Sequence, residues 1–215
     1  MNILVVGANG RVGSHLVNTL AKMGHTVYAG ARKESLILTN PNIHFFELDL
    51  LADLQEIIQR IKSVKIEAIY FTAGSKGKNL LQVDAFGAVK VMQAAHTLDI
   101  RRFIMLSSVF ALQPKRWNES FLQNITDYNI AKFFADHWLV NQSHLDFTIL
   151  QPGALQDNRG TGLIQIGVTA PLSNSIDNVV ETLAHILTAP NTIGQVITMA
   201  DGDLPIIDAL KQVSS

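Results

Sequence analysis

The chain has 215 residues, 47% of them apolar and 16% charged, and its 17 cations and 18 acids leave a formal net charge of −1. That balance argues against a basic nucleic-acid surface or an acidic tail, so small molecules or other copies of the chain are the expected partners. The absence of cysteine excludes disulfides, thiolate metal sites and a cysteine nucleophile, and no apolar run approaches the length of a membrane span.

Short β-type runs alternate with amphipathic stretches from end to end, the pattern of a parallel sheet covered by helices on both faces. The first strand is "NILVVG" at 2–7, followed by a helix over 11–23 that Gly24 closes. Strands follow at 26–30 ("TVYAG") and 43–48 ("IHFFEL"), then a helix over 53–63, a strand at 68–72 ("AIYFT") and a helix over 79–98. The second half reads as a strand at 102–107 ("RFIMLS"), a helix over 119–142 and a strand at 147–151 ("FTILQ"). A helix over 175–189, a strand at 196–200 ("VITMA") and a short helix over 204–213 complete it. The strands are nearly continuous apolar segments, as strands buried on both faces should be. The least regular stretch, 152–175, is the expected substrate loop, since long loops beside a scaffold often carry specificity. One domain over 1–215 is expected, with no leader at "MNILVVG" and a cytoplasmic location.

Gly7, Gly10 and Gly13 lie three apart between the first strand and the first helix. Such a turn suits a dinucleotide: one glycine frees the backbone, one admits the pyrophosphate closely, one allows tight helix packing, and the helix N-terminus offers N–H donors to the anion. Asn9, Arg11 and Val12 of the same turn are assigned to the cofactor with them. The end of the second strand should tell the two dinucleotides apart. An NAD site places an acid there for the ribose hydroxyls, whereas an NADP site removes it and supplies a cation for the 2′-phosphate. Here "YAGARKES" has Ala31 in the acid's place and Arg32 next, while Glu34 falls beyond the strand. Arg11 is expected on the same side as Arg32, sharing the phosphate. NADP(H) is therefore the expected cofactor. Asp49 and Leu50, closing the third strand, are candidates for the adenine, Asp49 serving equally well as a helix cap. Ala73 and Gly74 leave room for the cofactor at the end of the fourth strand, or make a tight turn.

In "DYNIAKFFADHW", Tyr128 and Lys132 are four apart and share a helix face. A tyrosine that exchanges protons with a carbonyl oxygen gains from a neighbouring ammonium, which favours the phenolate. Lys132 can also hold the nicotinamide ribose. Ser107 and Ser108 end the fifth strand at the sheet's carboxyl edge, where ligands of open α/β folds bind; Ser108 is the candidate to hold a substrate carbonyl, and Ser107 is expected to bond local backbone. The seven histidines show no ligand spacing, and no metal site is expected. The helix carrying Tyr128 is apolar on its other side through Ile130, Phe133, Phe134 and Trp138, a face for self-association or, preferably, for cover by the 110–120 loop with Trp117.

These motifs together resemble the short-chain dehydrogenase/reductase superfamily, atypical extended type. The resemblance runs through "GANGRVG", "AGSKGKN", "VDAFGAVKVMQAA", "MLSSV", "YNIAK", "LDFTILQPG" and "DGDLPIIDAL". It is nearest to small NADP-binding members grouped with flavin and biliverdin-IXβ reductases and with NmrA-like proteins. The resemblance implies a Rossmann-type doubly wound parallel sheet, the cofactor residues named above, and a Ser108, Tyr128, Lys132 set. Two departures stand out: Gln151 occupies the place where many relatives have arginine, and the larger C-terminal substrate region of the extended enzymes is absent. Two functions fit. One is an NADPH-dependent oxidoreductase passing hydride to a small carbonyl, quinone or flavin-like acceptor. The other is a non-catalytic sensor of the NADP(H) redox state.

Overall fold

In β1 (Asn2–Val6), Ile3, Leu4, Val5 and Val6 are all buried, so this strand is covered on both faces, as an interior strand of a helix-flanked sheet must be. Burying each such side chain contributes about 1.5–3 kcal/mol, which makes β1 a natural centre for the fold. The computed structural model describes residues 1–34 and 40–213; the single-domain expectation also spans 35–39 and 214–215, which lie outside the described residues. After β1 come α1 (Arg11–Lys22), β2 (Thr26–Ala31), β3 (Ile43–Glu47), α2 (Leu54–Lys62), β4 (Ala68–Phe71), α3 (Phe86–Thr97) and β5 (Arg102–Leu106). Then follow α4 (Thr126–Gln142), β6 (Asp146–Pro152), β7 (Ala154–Gln156), β8 (Leu163–Ile166), β9 (Ser173–Ser175) and α5 (Ile176–Ile186). The chain closes with β10 (Gln195–Asp201), β11 (Leu204–Pro205) and α6 (Ile206–Lys211).

The main sheet has the order β3-β2-β1-β4-β5-β6-β10-β8-β11. From β3 to β10 every neighbouring pair is parallel. The chain leaves β1 first towards β2 and β3, then returns to the other side through β4. That reversal opens a crevice at the carboxyl ends of β1 and β4, the place where open α/β sheets bind ligands. The fold is the expected Rossmann-like α/β sheet, with helices on both faces.

Alternation along the strands sends successive side chains into two cores. Ile3, Val5, Tyr70, Ile104 and Leu150 pack with residues of α1, α5 and α6 on one face. Leu4, Val6, Ile69, Phe71, Met105 and Ile149 pack with α2, α3 and α4 on the other.

Five local expectations need correction. The stretch 152–175 is not a plain loop: β7 pairs with β9, and β8 joins the main sheet antiparallel to β10, so the sheet is not wholly parallel. These strands are three or four residues long, too short to show alternation, and their partners specify them. The helix expected from 79 begins as a wide π turn over Leu80–Ala85, and the one expected from 119 as a tight 3₁₀ turn over Ser120–Ile125. The stretch from 204 opens with β11, which pairs with β8 before Pro205 leads into α6. Finally, the 110–120 loop covers only part of α4. Trp117 meets Phe133 edge-on with ring centroids 6.0 Å apart, while Phe134 stays 57% exposed. No helix among the described residues is long and apolar enough to cross a membrane.

Candidate functional site

A cleft of about 660 Å³ lies at the carboxyl ends of β1 to β4, lined by the glycine turn, the segment after β2, residues 48–51 after β3 and residues 72–79 after β4. Gly7 turns the chain out of β1 with φ +89, and a Cβ there would come within 2.5 Å of the Ala73 backbone. A Cβ on Gly13 would overlap the Gly7 carbonyl oxygen, so α1 can approach β1 only with glycine at that position. Gly10 caps α1 without a side chain, and no acid occupies the first turn. The first N–H groups of the helix are thus left for an anion, as a pyrophosphate requires.

Gly7, Asn9 and Gly10 line the cleft; Val12 and Gly13 instead pack behind it, Val12 being buried in the core. The Asn9 side-chain amide donates to the Lys33 carbonyl at 2.9 Å, tying the glycine turn to the segment after β2. Ala31 and Arg32 line the cleft, with no carboxylate at the strand end; Glu34 is exposed and does not line it. Arg11, expected to share a phosphate with Arg32, has another partner. Its guanidinium donates to Asp157 at 2.8 Å, and it does not line the cleft. Asp157 follows β7, a neighbour of the α1 terminus that only the tertiary fold supplies.

Asp49, Leu50, Ala73 and Gly74 also line the cleft. Asp49 accepts from the Leu51 N–H at 2.9 Å and does not cap α2; that role belongs to Asp53, which accepts from the Glu56 N–H. The tight turn considered for Ala73 and Gly74 comes two residues later, with the Lys78 N–H donating to the Ser75 carbonyl.

Beside the cleft, α4 presents Tyr128, Lys132 and Asp136 at successive four-residue steps, one face of the helix. Lys132 is buried, donates to the Leu106 carbonyl at 3.2 Å, and holds its Nζ 5.7 Å from the centre of the Tyr128 ring. The structure therefore brings Tyr128 and Lys132 together. Ser108 joins them indirectly: its hydroxyl donates to Asn129 Oδ1 at 3.3 Å, and Asn129 in turn donates to the Leu122 carbonyl. Ser108, Tyr128 and Lys132 do not themselves line the cleft.

Two expectations about this cluster change. Ser107 bonds a side chain rather than local backbone, donating to Asp136 Oδ2 at 2.6 Å, and Gln151 donates to the same oxygen at 2.8 Å. The Tyr128 phenol is not pushed toward phenolate. Burial raises its pKa above the ordinary tyrosine value, Lys132 pulls the other way but less, and Asp84 and Asp136 push it up further. Burial likewise pushes Asp136 up to about 6, against the hydrogen bonds from Ser107 and Gln151 and the charge of Lys132.

Sequence reasoning passed over Asp84, Asp136, Lys76 and Lys78. Asp84 is fully buried and accepts from the Ser75 N–H at 3.0 Å; its sequence signal is a carboxylate inside the apolar run "VDAFGAV". Asp136 was legible as the next four-residue step after Lys132.

A family model described as NAD(P)H-binding matches residues 7–190, and the chain belongs to that family. This membership agrees with the short-chain dehydrogenase/reductase resemblance of its motifs. The chain is similar to the oxidoreductase ylbE from Lactococcus lactis, whose crystal structure superposes with a TM-score of 0.94 at 39% identity, covering 99% of this chain and 96% of that one. It is 33% identical to YhfK of Bacillus subtilis, named an uncharacterized sugar epimerase, over 99% of this chain and 100% of that protein. A wide-type short-chain dehydrogenase/reductase from Veillonella parvula, crystallised in complex with NADP, shares the fold at a TM-score of 0.72 and 17% identity, covering 93% and 94% of the two chains.

Proposed function

We propose that this protein is an NADPH-dependent oxidoreductase that reduces a small carbonyl, quinone or flavin-like acceptor. The observation that carries the reading is the buried Lys132 held 5.7 Å from the Tyr128 ring, next to a cleft whose glycine turn and helix terminus suit a dinucleotide. The name oxidoreductase carried by the Lactococcus relative supports it. Gly7, Asn9 and Gly10 would receive the pyrophosphate, Asp49 and Leu50 the adenine, and Arg32 the 2′-phosphate. When bound, the nicotinamide supplies a hydride.

The chain's own contribution is proton transfer and orientation. With its pKa raised, Tyr128 keeps its proton at neutral pH and acts as an acid, giving the phenolic proton to the acceptor oxygen as negative charge develops there. Lys132 steadies the phenolate that remains until solvent returns the proton. Just after β5 the Ser108 hydroxyl donates to Asn129 Oδ1; to orient the acceptor it would turn from Asn129 and donate to the acceptor oxygen instead.

Small molecules are the proposed partners and the cytoplasm the proposed location. Measuring NADPH consumption against quinones, flavins, tetrapyrroles, aldehydes and sugars, with wild type and Tyr128→Phe in parallel, tests the reading. Turnover on one of these acceptors, reduced about 100-fold or more in the variant for a carbonyl, is expected. No turnover on any of them, with unequal affinity for NADP and NADPH, would instead establish a redox sensor.

A further inference from the structure

Among the described residues, four cations line the cleft: Arg32 and Lys33 after β2, Lys76 and Lys78 after β4. Against them, among the same residues, stands one lining carboxylate, Asp49. The whole chain has 17 cations and 18 acids, so this local excess does not follow from a basic composition. In the sheet β1 lies between β2 and β4, and the two cationic segments therefore flank the glycine turn from opposite sides.

The segment bearing Lys76 and Lys78 is a built turn. Lys76 and Gly77 both have positive φ, 55 and 80, and the Lys78 N–H donates to the Ser75 carbonyl at 3.2 Å. Positive φ is uncommon for a residue other than glycine. The fully buried Asp84 anchors the start of this turn, its carboxylate accepting from the Ser75 N–H at 3.0 Å. A buried acid thus fixes a two-lysine turn at the mouth of a dinucleotide cleft.

We propose that this turn is the second wall of a phosphate subsite, in which Lys76 and Lys78 act with Arg32 to select NADP(H) over NAD(H). The proposal rests on the NADP reading above and names further specificity residues for it. The pyrophosphate, common to both dinucleotides, already has the free N–H groups of α1. The group that distinguishes NADP is a phosphate monoester carrying a charge of about −1.5 to −2 at neutral pH, so cations beyond those the pyrophosphate needs act selectively on it.

The test is a set of binding titrations with NADP and NAD, at low and moderate salt, on wild type, Arg32→Ala and the double variant Lys76→Asn, Lys78→Ala. Asparagine tolerates positive φ, so the turn is kept while its charge is removed. The double variant is expected to bind NADP roughly five- to tenfold more weakly, with NAD changed less than about twofold and a shallower salt dependence for NADP. Equal losses for both dinucleotides would assign the lysines to the pyrophosphate and overturn the proposal. An unchanged NADP preference in the double variant, together with its collapse in Arg32→Ala, would overturn the lysines' role and leave the NADP reading standing. Equal binding of the two dinucleotides by wild type would end both.

Discussion

Lys132 stands over the face of the Tyr128 ring and spends its hydrogen bond on the Leu106 carbonyl, so the ammonium acts on the phenol through its field and not through direct contact. A field effect in a buried setting is outweighed here by the cost of desolvating a phenolate. Spectroscopic titration, read as the difference between wild type and Tyr128→Phe, should therefore place the Tyr128 phenol above the ordinary tyrosine value. A midpoint below that value would show that Lys132 outweighs desolvation and would contradict the raised phenol. Lys132→Met should raise the midpoint further, because the main opposing charge is gone.

Asp136 makes stability depend on pH in a defined direction. Its carboxyl is pushed up to about 6 in the folded chain from an ordinary value of 3.8, so the native state holds this proton more tightly than the unfolded one. The resulting stabilisation is complete below pH 3.8 and is lost as pH rises through about 6. Two units correspond to about 2–3 kcal/mol. Asp136→Asn keeps an oxygen for Ser107 and Gln151 and cannot titrate. Urea unfolding at acid and neutral pH should show wild type losing about 2–3 kcal/mol relative to this variant on going to neutral pH. Parallel pH dependence in the two proteins would rule the assignment out.

The three glycines of the first turn should respond differently to alanine. At Gly7 a Cβ meets the Ala73 backbone at 2.5 Å with φ at +89, and at Gly13 it overlaps the Gly7 carbonyl, so each change should cost about 3 kcal/mol or more in chemical unfolding. At Gly10 the nearest atom is the Gly7 oxygen at 3.1 Å, a contact that small shifts relieve. Gly10→Ala should lose no more than about 1 kcal/mol of stability and act mainly on dinucleotide affinity. Similar losses at all three positions would contradict the packing described.

Arg32 and Arg11, both assigned to the 2′-phosphate on sequence, should separate in binding experiments. Arg32→Ala should weaken NADP roughly tenfold, whereas Arg11→Ala, whose guanidinium is engaged by Asp157, should alter it by less than about threefold. The ion pair is exposed at both ends, so Asp157→Asn should change stability by less than about 1 kcal/mol. A larger effect of Arg11→Ala than of Arg32→Ala on NADP affinity would reverse the assignment.

The main sheet and the residues that line the cleft were legible in the chain because they depend on local signals: apolar runs of strand length, helices with stops, and glycines at one strand end. Gly7, Asn9, Gly10, Arg32, Asp49, Leu50, Ala73 and Gly74 all line the cleft for that reason. The short strands of 152–175 were not legible, since residues such as Ser173–Ser175 carry no alternation and become a strand only beside β7. Nor was the fate of Arg11, whose partner lies 146 residues away.

By itself, then, the sequence determined the fold class, the dinucleotide turn and the pairing of Tyr128 with Lys132 on one helix face, all consequences of spacing along a chain with fixed backbone geometry. Tertiary structure alone decided which charges meet. It buried Asp136 and half-buried Tyr128 so that desolvation raises both pKa values, turned Arg11 to Asp157, and brought Lys76 and Lys78 to the cleft that Arg32 already lines. Electrostatic effects depend on distance and on exclusion of water, and neither quantity exists until the chain has folded.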